Sequence, residues 1–242
     1  MLEAAMQTCI GSRPSNQDRM FAKTEIISGK TCGLFCVADG MGGYSDGHIA
    51  AEMAVSHVTD MWANMWANRA SSDTPDFSAL FDAINREIIT YARAQNETLG
   101  TTLSLLFICG KSYTIAHTGD SRIYLIRKKF FRRTSSVLTE DQTWASEKLR
   151  EGKIPLAEIR ANPNRNKLTG CLGIYSEPKI FTTSGRIKRG DTFILCTDGL
   201  YRAVDKKILI TQKSPAESAE HLIKTVETHE SRDNASVVVV RV

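Results

Sequence analysis

Five aspartates, Asp18, Asp39, Asp120, Asp198 and Asp233, each stand where a hydrophobic or polar segment gives way to a turn. Three adjoin glycine, in Asp39-Gly40, Gly119-Asp120 and Asp198-Gly199. Strand ends are places where a fold can point carboxylates at one another. Gathered without opposing charge, such carboxylates repel and raise one another's pKa, so their convergence requires hard cations such as Mg2+ or Mn2+. The pattern therefore points to a metalloenzyme. Any one Asp-Gly taken alone is equally well a turn, because Asp favours turns and Gly supplies positive φ.

The elements that must position these residues are readable from the hydrophobic pattern. Residues 31–38 read as a strand whose end presents Asp39, and Gly42-Gly43 lets backbone approach closely there. From 47 to about 67, Ile49, Met53, Val55, Val58, Met61, Trp62 and Met65 form an apolar helical surface. A second helix is predicted over 76–94, with Phe77, Leu80, Phe81, Ile84, Ile88 and Tyr91 on one broad face. These side chains read as core rather than cofactor contacts. Residues 101–109 and 112–118 flank Gly110-Lys111 as a hairpin, and 121–127 supply another strand after Gly119-Asp120. A short helix is expected over 141–151, a strand over 191–197 ending at Asp198, a helix over 215–228 and a closing valine-rich strand over 235–242.

A chain of 242 residues, 42% hydrophobic and without a long Pro/Gly/Ser linker, reads as one domain spanning 1–242 with a substantial core. The net charge of +4 is modest, and its basic groups at 127–129, 132–133, 148, 150, 186 and 188–189 read as solvated hairpin ends. No nucleic-acid motif accompanies them, so no nucleic-acid partner is expected. Cys9, Cys32, Cys36, Cys109, Cys171 and Cys196 contain no CxxC pair and lie partly in apolar runs, the setting of free thiols in a reduced, cytoplasmic protein. No apolar run reaches the length of a membrane span, so no membrane insertion is expected.

The aspartates sit in an ordered string of motifs: Arg13-Pro14-Ser15-Asn16-Gln17-Asp18, Val37-Ala38-Asp39-Gly40-Met41-Gly42-Gly43, His117-Thr118-Gly119-Asp120-Ser121-Arg122, Cys196-Thr197-Asp198-Gly199-Leu200 and Arg232-Asp233-Asn234. From about Gln7 to Val242 this string resembles the metal-dependent protein phosphatases of the PP2C (PPM) family in their compact bacterial form. The resemblance implies an α+β fold, a four-layer α/β/β/α sandwich with two central antiparallel sheets flanked by helices. It also implies hydrolysis of phosphoserine or phosphothreonine on proteins by a metal-activated water, opposing a serine/threonine kinase, and a monomeric phosphoric monoester hydrolase. By the same resemblance Asp39 bridges two Mn2+ or Mg2+ ions, Asp198 and Asp233 bind the second, the Gly40 carbonyl helps bind the first, and Asp18 acts through water. Arg13 matches the phosphate-binding arginine, whose planar fork can grip two phosphate oxygens. Asp120 matches a ligand of a third, weaker ion shared with Asp198. A turn role for Asp120 weighs equally with that one.

Two positions depart from the family pattern. Met41 stands where many eukaryotic relatives have a histidine proposed as general acid, and methionine cannot donate a proton. Gln142 stands where bacterial relatives often have histidine. His117 and His48 read as ordinary side chains, His48 being the more accessible for a water or substrate contact, and Ser121 and Arg122 read as structural. Residues 147–168, with Gly152, Pro155 and the polar run 162–166, are expected to form a flap beside the site or else an inert surface loop. Two other functions compete: a catalytically weak module that binds phosphoproteins, opposed by retention of Arg13 and the carboxylates, and a metal-dependent nuclease, opposed by the lack of a basic groove.

Overall fold

Runs that are apolar at every position cannot leave either face in water, and such runs form the centre of the computed structural model. The structure describes residues 2–42, 46–68, 74–129, 132–210, 213–229 and 231–242. In chain order the first elements are β1 (Glu3–Cys9), β2 (Asp18–Ile27), β3 (Lys30–Gly42), α1 (Gly47–Asn68), α2 (Phe77–Gln95) and β4 (Leu99–Thr101). Next come β5 (Leu103–Cys109), β6 (Ser112–Thr118), β7 (Arg122–Lys129), β8 (Arg132–Val137), α3 (Trp144–Glu151) and α4 (Leu156–Ala161). The chain continues with β9 (Phe181–Arg186), β10 (Thr192–Cys196), α5 (Asp198–Ala203), α6 (Pro215–Thr228) and β11 (Ala235–Arg241). One sheet has the order β1-β11-β10-β7-β8 and the other β2-β3-β5-β6-β9, with β4 added beside β3. All of these pairings are antiparallel.

Period-2 alternation sorts the side chains into layers. In β5, Leu103, Leu105 and Phe107 join Val58 and Trp62 of α1 and Phe81 of α2, whereas Leu106 and Ile108 turn toward the opposite sheet. In β11, Val237 and Val239 pack on Leu222 and Val226 of α6, while Val238 and Val240 meet Phe35, Val37 and Leu106 between the sheets. Helices thus cover both outer faces and the four-layer α+β expectation is met. Helix ends are fixed locally: Asp76 accepts from Ala79 N at 3.0 Å, and Ser214 and Glu217 form a reciprocal capping box with Pro215 in the first turn.

Several expectations are corrected. The 101–109 strand is two elements, because Thr101 belongs to β4 beside Gly40 of β3 and pairing with β6 starts at Leu103. The helix expected from 141 starts at Trp144, where Thr143 Oγ1 accepts from Ser146 N at 3.2 Å. The six-free-thiol reading also fails: β3–β5 register sets Cys32 opposite Cys109 and the two form a disulfide, leaving Cys9, Cys36, Cys171 and Cys196 free and buried. Residues 77 apart in sequence carry no spacing signal for such a pair. Gly43, expected beside the site, lies outside the described residues. Among the described residues no helix is long and apolar enough to cross a membrane. Of the basic groups, Arg127 pairs with Asp191, Lys148 with Glu151 and Arg150 with Glu140.

Phe193 is fully buried between the sheets, edge-on to Tyr113 with ring centroids 5.2 Å apart. Phe193→Ala should lower unfolding stability by about 3–5 kcal/mol. Urea titration with an unchanged m-value would check it, and a loss below about 1 kcal/mol would contradict this packing.

Candidate active site

Register brings the aspartates to one edge of the sandwich. Asp18 opens β2 and lies directly opposite Asp39 of β3. The main chain of Asp39 is pinned: its N–H donates to Thr102 Oγ1 at 3.0 Å, and its carbonyl accepts from Thr102 N at 2.9 Å and Thr101 Oγ1 at 3.1 Å. In the other sheet Cys196 at the end of β10 pairs with Val237 near the start of β11. Asp198 and Asp233, just beyond those strand ends, therefore emerge at the same edge.

Two hydrogen-bonded joints lock the sheets together there. Thr197 Oγ1 donates to Asp18 Oδ2 at 2.8 Å. Asn234 Oδ1 accepts from Gln17 N at 2.9 Å, while its Nδ2 donates to Ile10 O at 2.8 Å and Ser15 O at 3.0 Å. A Cβ on Gly40 would overlap the Gly47 carbonyl and one on Gly199 the Asn234 carbonyl, so both loops close only without a side chain. The result is a cleft of about 370 Å³ lined by residues that include Arg13, Gln17, Asp39, Gly40, Met41 and Asp233.

The electrostatics are those of crowded carboxylates. Burial raises Asp18 to about 6, opposed by hydrogen bonds from Ser236 and Thr197 and reinforced by Asp198 and Asp233. Asp39 is held well above the carboxylate range by burial and then by Asp18, Asp198, Asp120 and Asp233. Burial raises Asp120 to about 7, with Asp198 adding to the shift and Arg202 opposing it; Asp198 is also raised by burial, against Arg202. Asp18 Oδ1 is buried with no hydrogen-bond partner among the described residues. Two arginines supply the nearest positive charge. Arg13 Nε and Nη2 donate to the two oxygens of Asp233 at 2.9 and 3.1 Å, and Arg202 Nη1 lies 2.8 Å from Asp198 Oδ2. Among the described residues no three His, Cys, Asp or Glu side chains stand in a ready metal-ligand arrangement. The guanidiniums occupy carboxylate oxygens of Asp233 and Asp198 that such an arrangement would use.

The fold agrees with the comparisons to known proteins. The family model described as protein phosphatase 2C matches residues 7–237. The chain belongs to the protein phosphatase 2C family. It is 31% identical to the serine/threonine phosphatase stp of Listeria innocua over 214 residues, 86% of this chain and 83% of that one. The S. agalactiae serine/threonine phosphatase structure superposes with a TM-score of 0.85 at 26% identity, covering all of both chains. The catalytic domain of PstP in complex with two manganese ions superposes with a TM-score of 0.79 at 27% identity, covering 99% of this chain and 97% of that one.

Within this phosphatase several side chains acquire definite surroundings. Gln142 is a buried clamp: its Oε1 accepts from Thr118 Oγ1 and Gly119 N, each at 3.0 Å, and its Nε2 donates to Lys179 O at 3.2 Å. His117 is fully buried, its Nδ1 accepting from Ser104 Oγ at 2.7 Å and its Nε2 facing the Gly119 and Glu140 carbonyls at 3.1 Å each. Burial lowers its pKa to about 4, so it remains a neutral brace of the turn that carries Asp120. Ser121 bonds Thr102, and Arg122 grips both oxygens of Asp141, in line with their structural reading. His48 sits partly buried in the first turn of α1.

The segment 147–168 differs from the expected polar loop. It holds most of α3 and all of α4, with Ile159 buried. Its base is tied by Trp144 N to Lys167 O at 2.8 Å, Ala145 N to Arg165 O at 3.1 Å, and an ion pair of Glu147 with Lys179 at 2.8 Å. Sequence reasoning missed Thr197, Asn234 and Arg202 as parts of the site. For Arg202 a signal existed, since it follows Asp198 by four residues and that interval shares a helix face.

Carboxylates whose folded pKa is raised hold protons more tightly folded than unfolded. Their stabilisation is present below about pH 4 and is lost as pH rises through the folded values of about 6 and 7 at Asp18 and Asp120. A divalent cation bound by these carboxylates would replace those protons. Melting temperature measured with Mn2+ minus that measured with chelator should therefore grow between about pH 4 and pH 7 and then level off. An increment that does not vary with pH would contradict the carboxylate cluster.

Proposed function

We propose that this protein serine/threonine phosphatase hydrolyses phosphoserine and phosphothreonine esters on proteins, opposing a serine/threonine kinase, with Mn2+ or Mg2+ held at the cleft. The supporting observation is that Asp18, Asp39, Asp198 and Asp233 come together from two locked strand edges, close enough to raise one another's pKa, beside a cleft lined by Asp39 and Asp233 and rimmed by Arg13. The donor set fits hard divalent ions: carboxylate oxygens dominate, Asp18 Oδ1 is an orphaned acceptor, and the loop at Gly40 closes against the Gly47 carbonyl only because glycine has no side chain. Asp39 would serve both ions, the Gly40 carbonyl the first, Asp198 and Asp233 the second, and Asp18 would act through water. When bound, such ions supply Lewis acidity toward water and the phosphoryl oxygens.

The chain's own residues do the rest. Asp18, anchored by Thr197, keeps one oxygen free to accept a proton or a water hydrogen inside the site. Arg13 has an exposed side chain with donors beyond the two used on Asp233, so its fork is available to orient phosphate oxygens at the rim. Met41 lines the cleft and carries no transferable proton, so protonation of the leaving oxygen falls to water rather than to that position. The segment 147–168, braced at its base, is the proposed flap for substrate contact in a single-domain monomer.

A phosphothreonine peptide should be hydrolysed with Mn2+ or Mg2+ and not with chelator, while phosphotyrosine peptide and single-stranded DNA should be poor substrates. Sustained metal-free turnover would sink the proposal. Asp39→Asn and Asp198→Asn should each lower kcat by about 100-fold or more, since even groups one step removed from a metal are worth about 10–100-fold. Near-normal turnover of either folded variant at saturating Mn2+ would remove its assigned role.

Arg13→Ala should reduce kcat/KM on small and peptide phosphomonoesters by about 10- to 100-fold, the scale of hydrogen bonds to a charged group. Its Mn2+ binding should be retained, because no ligand is removed. Arg13→Lys should restore only part of the loss, because an ammonium lacks the planar fork. Calorimetric Mn2+ titration beside steady-state kinetics decides: lost metal binding or full activity in Arg13→Ala would overturn the assignment.

A further inference from the structure

Arg202 makes a contact in the site that the two-ion reading leaves without a purpose. It lies four residues after Asp198 in α5, and its Nη1 stands 2.8 Å from Asp198 Oδ2. Its Nη2 stands 3.6 Å from Asp120 Oδ2, so a single guanidinium spans both carboxylates. Those carboxylates come from separate elements, the β6–β7 turn and the start of α5, and both are buried, at 5% and 9% exposure. They are also the two residues whose motif positions match the ligands of a third, weaker ion. We propose that Arg202 is the resident cation of the Asp120–Asp198 pair, so that a third divalent ion enters only by displacing its guanidinium.

The chemistry makes the two occupants exclusive. A guanidinium stays charged at any working pH and binds carboxylate oxygens through N–H donors directed at their lone pairs. A divalent ion shared by Asp120 and Asp198 would have to stand between the same two oxygens that the guanidinium spans, and two cations cannot fill that space together. Arg122 is not free to take the place, being committed to both oxygens of Asp141 and lying over the Tyr201 ring at 3.7 Å. Displacement has room to occur. The Arg202 side chain is 44% exposed and borders an open depression of about 460 Å³ with His229 and Arg232 on its wall. At ordinary Mn2+ concentrations the enzyme then works as a two-ion phosphatase with its third position closed by its own side chain.

This inference rests on the two-ion reading of the cleft, and counting ions separates the two. Equilibrium dialysis or calorimetry with Mn2+ alone would compare wild type, Arg202→Met and the double variant Arg202→Met/Asp120→Asn. Arg202→Met should bind one Mn2+ more per chain than wild type over the same free-metal range, or bind its third ion at least about tenfold more tightly. The double variant should lose that ion. Mn2+ should also raise the melting temperature of Arg202→Met by more than that of wild type. Arg202→Gln, which removes the charge but keeps polar reach, replaces the methionine variant if that one does not fold. Equal ion number and affinity in wild type and the uncharged variant overturns the inference while leaving the two-ion reading intact, as does an extra ion that survives loss of Asp120. Absence of Mn2+ binding in every protein overturns both.

Discussion

Mutual repulsion among buried carboxylates is the constraint around which this end of the molecule is organised. Asp18, Asp39, Asp120 and Asp198 are all raised from their ordinary values, first because they are withdrawn from water and then because they stand beside one another. A fold does not reach such an arrangement by local preference. It needs two sheets whose edges are locked before the charges are counted, and the interlocking layer of Phe35, Val37 and Leu106 against Phe193, Val238 and Val240 provides that lock. The hydrophobic core thus stabilises an edge that is electrostatically unfavourable by itself.

The lock is completed by neutral polar groups rather than by further charges. Thr197 and Asn234 bridge the sheets with hydrogen bonds, and Gln142 and His117 brace the turn that carries Asp120. Neutral donors and acceptors add geometry without altering the charge that a cation must meet. Gln142 performs here, with an amide, a clamp between the Gly119 turn and the Lys179 carbonyl. An amide holds one charge state at all pH values, so the brace does not loosen where an imidazole would titrate.

What was legible in the sequence follows from where each element lies. The strands β5, β10 and β11, each carrying a continuous apolar run, and helices α1, α2 and α6 with wide apolar faces, carry their own signal. The strands β8 and β9 read Arg132-Arg133-Thr134-Ser135-Ser136-Val137 and Phe181-Thr182-Thr183-Ser184-Gly185-Arg186, edge strands whose exposed positions dilute the alternation. The Cys32–Cys109 pair exists only through register, which no spacing rule supplies. The carboxylate motifs were legible because chemistry restricts their residue types. Arg202 was legible only as a residue four after Asp198, because α5 has six residues and too few turns to display the period that would establish a helix there.

Charge counting explains why two arginines suffice as residents. Asp18, Asp39, Asp120, Asp198 and Asp233 carry five negative charges when ionised, and Arg13 and Arg202 return two. Protons held by carboxylates of raised pKa make up part of the difference while no metal is present. With two divalent ions bound the balance would become one positive charge, the sign that would draw a phosphate dianion into the cleft. A third divalent ion that expelled Arg202 would add only one net charge, because it removes one to bring two. The electrostatic gain of that exchange is therefore half of what it would be at an undefended pair, and it must also cover the desolvation of a strongly hydrated ion. A monovalent guanidinium already on the same helix as Asp198 needs no such desolvation from bulk water, which is the physical ground for its residence there.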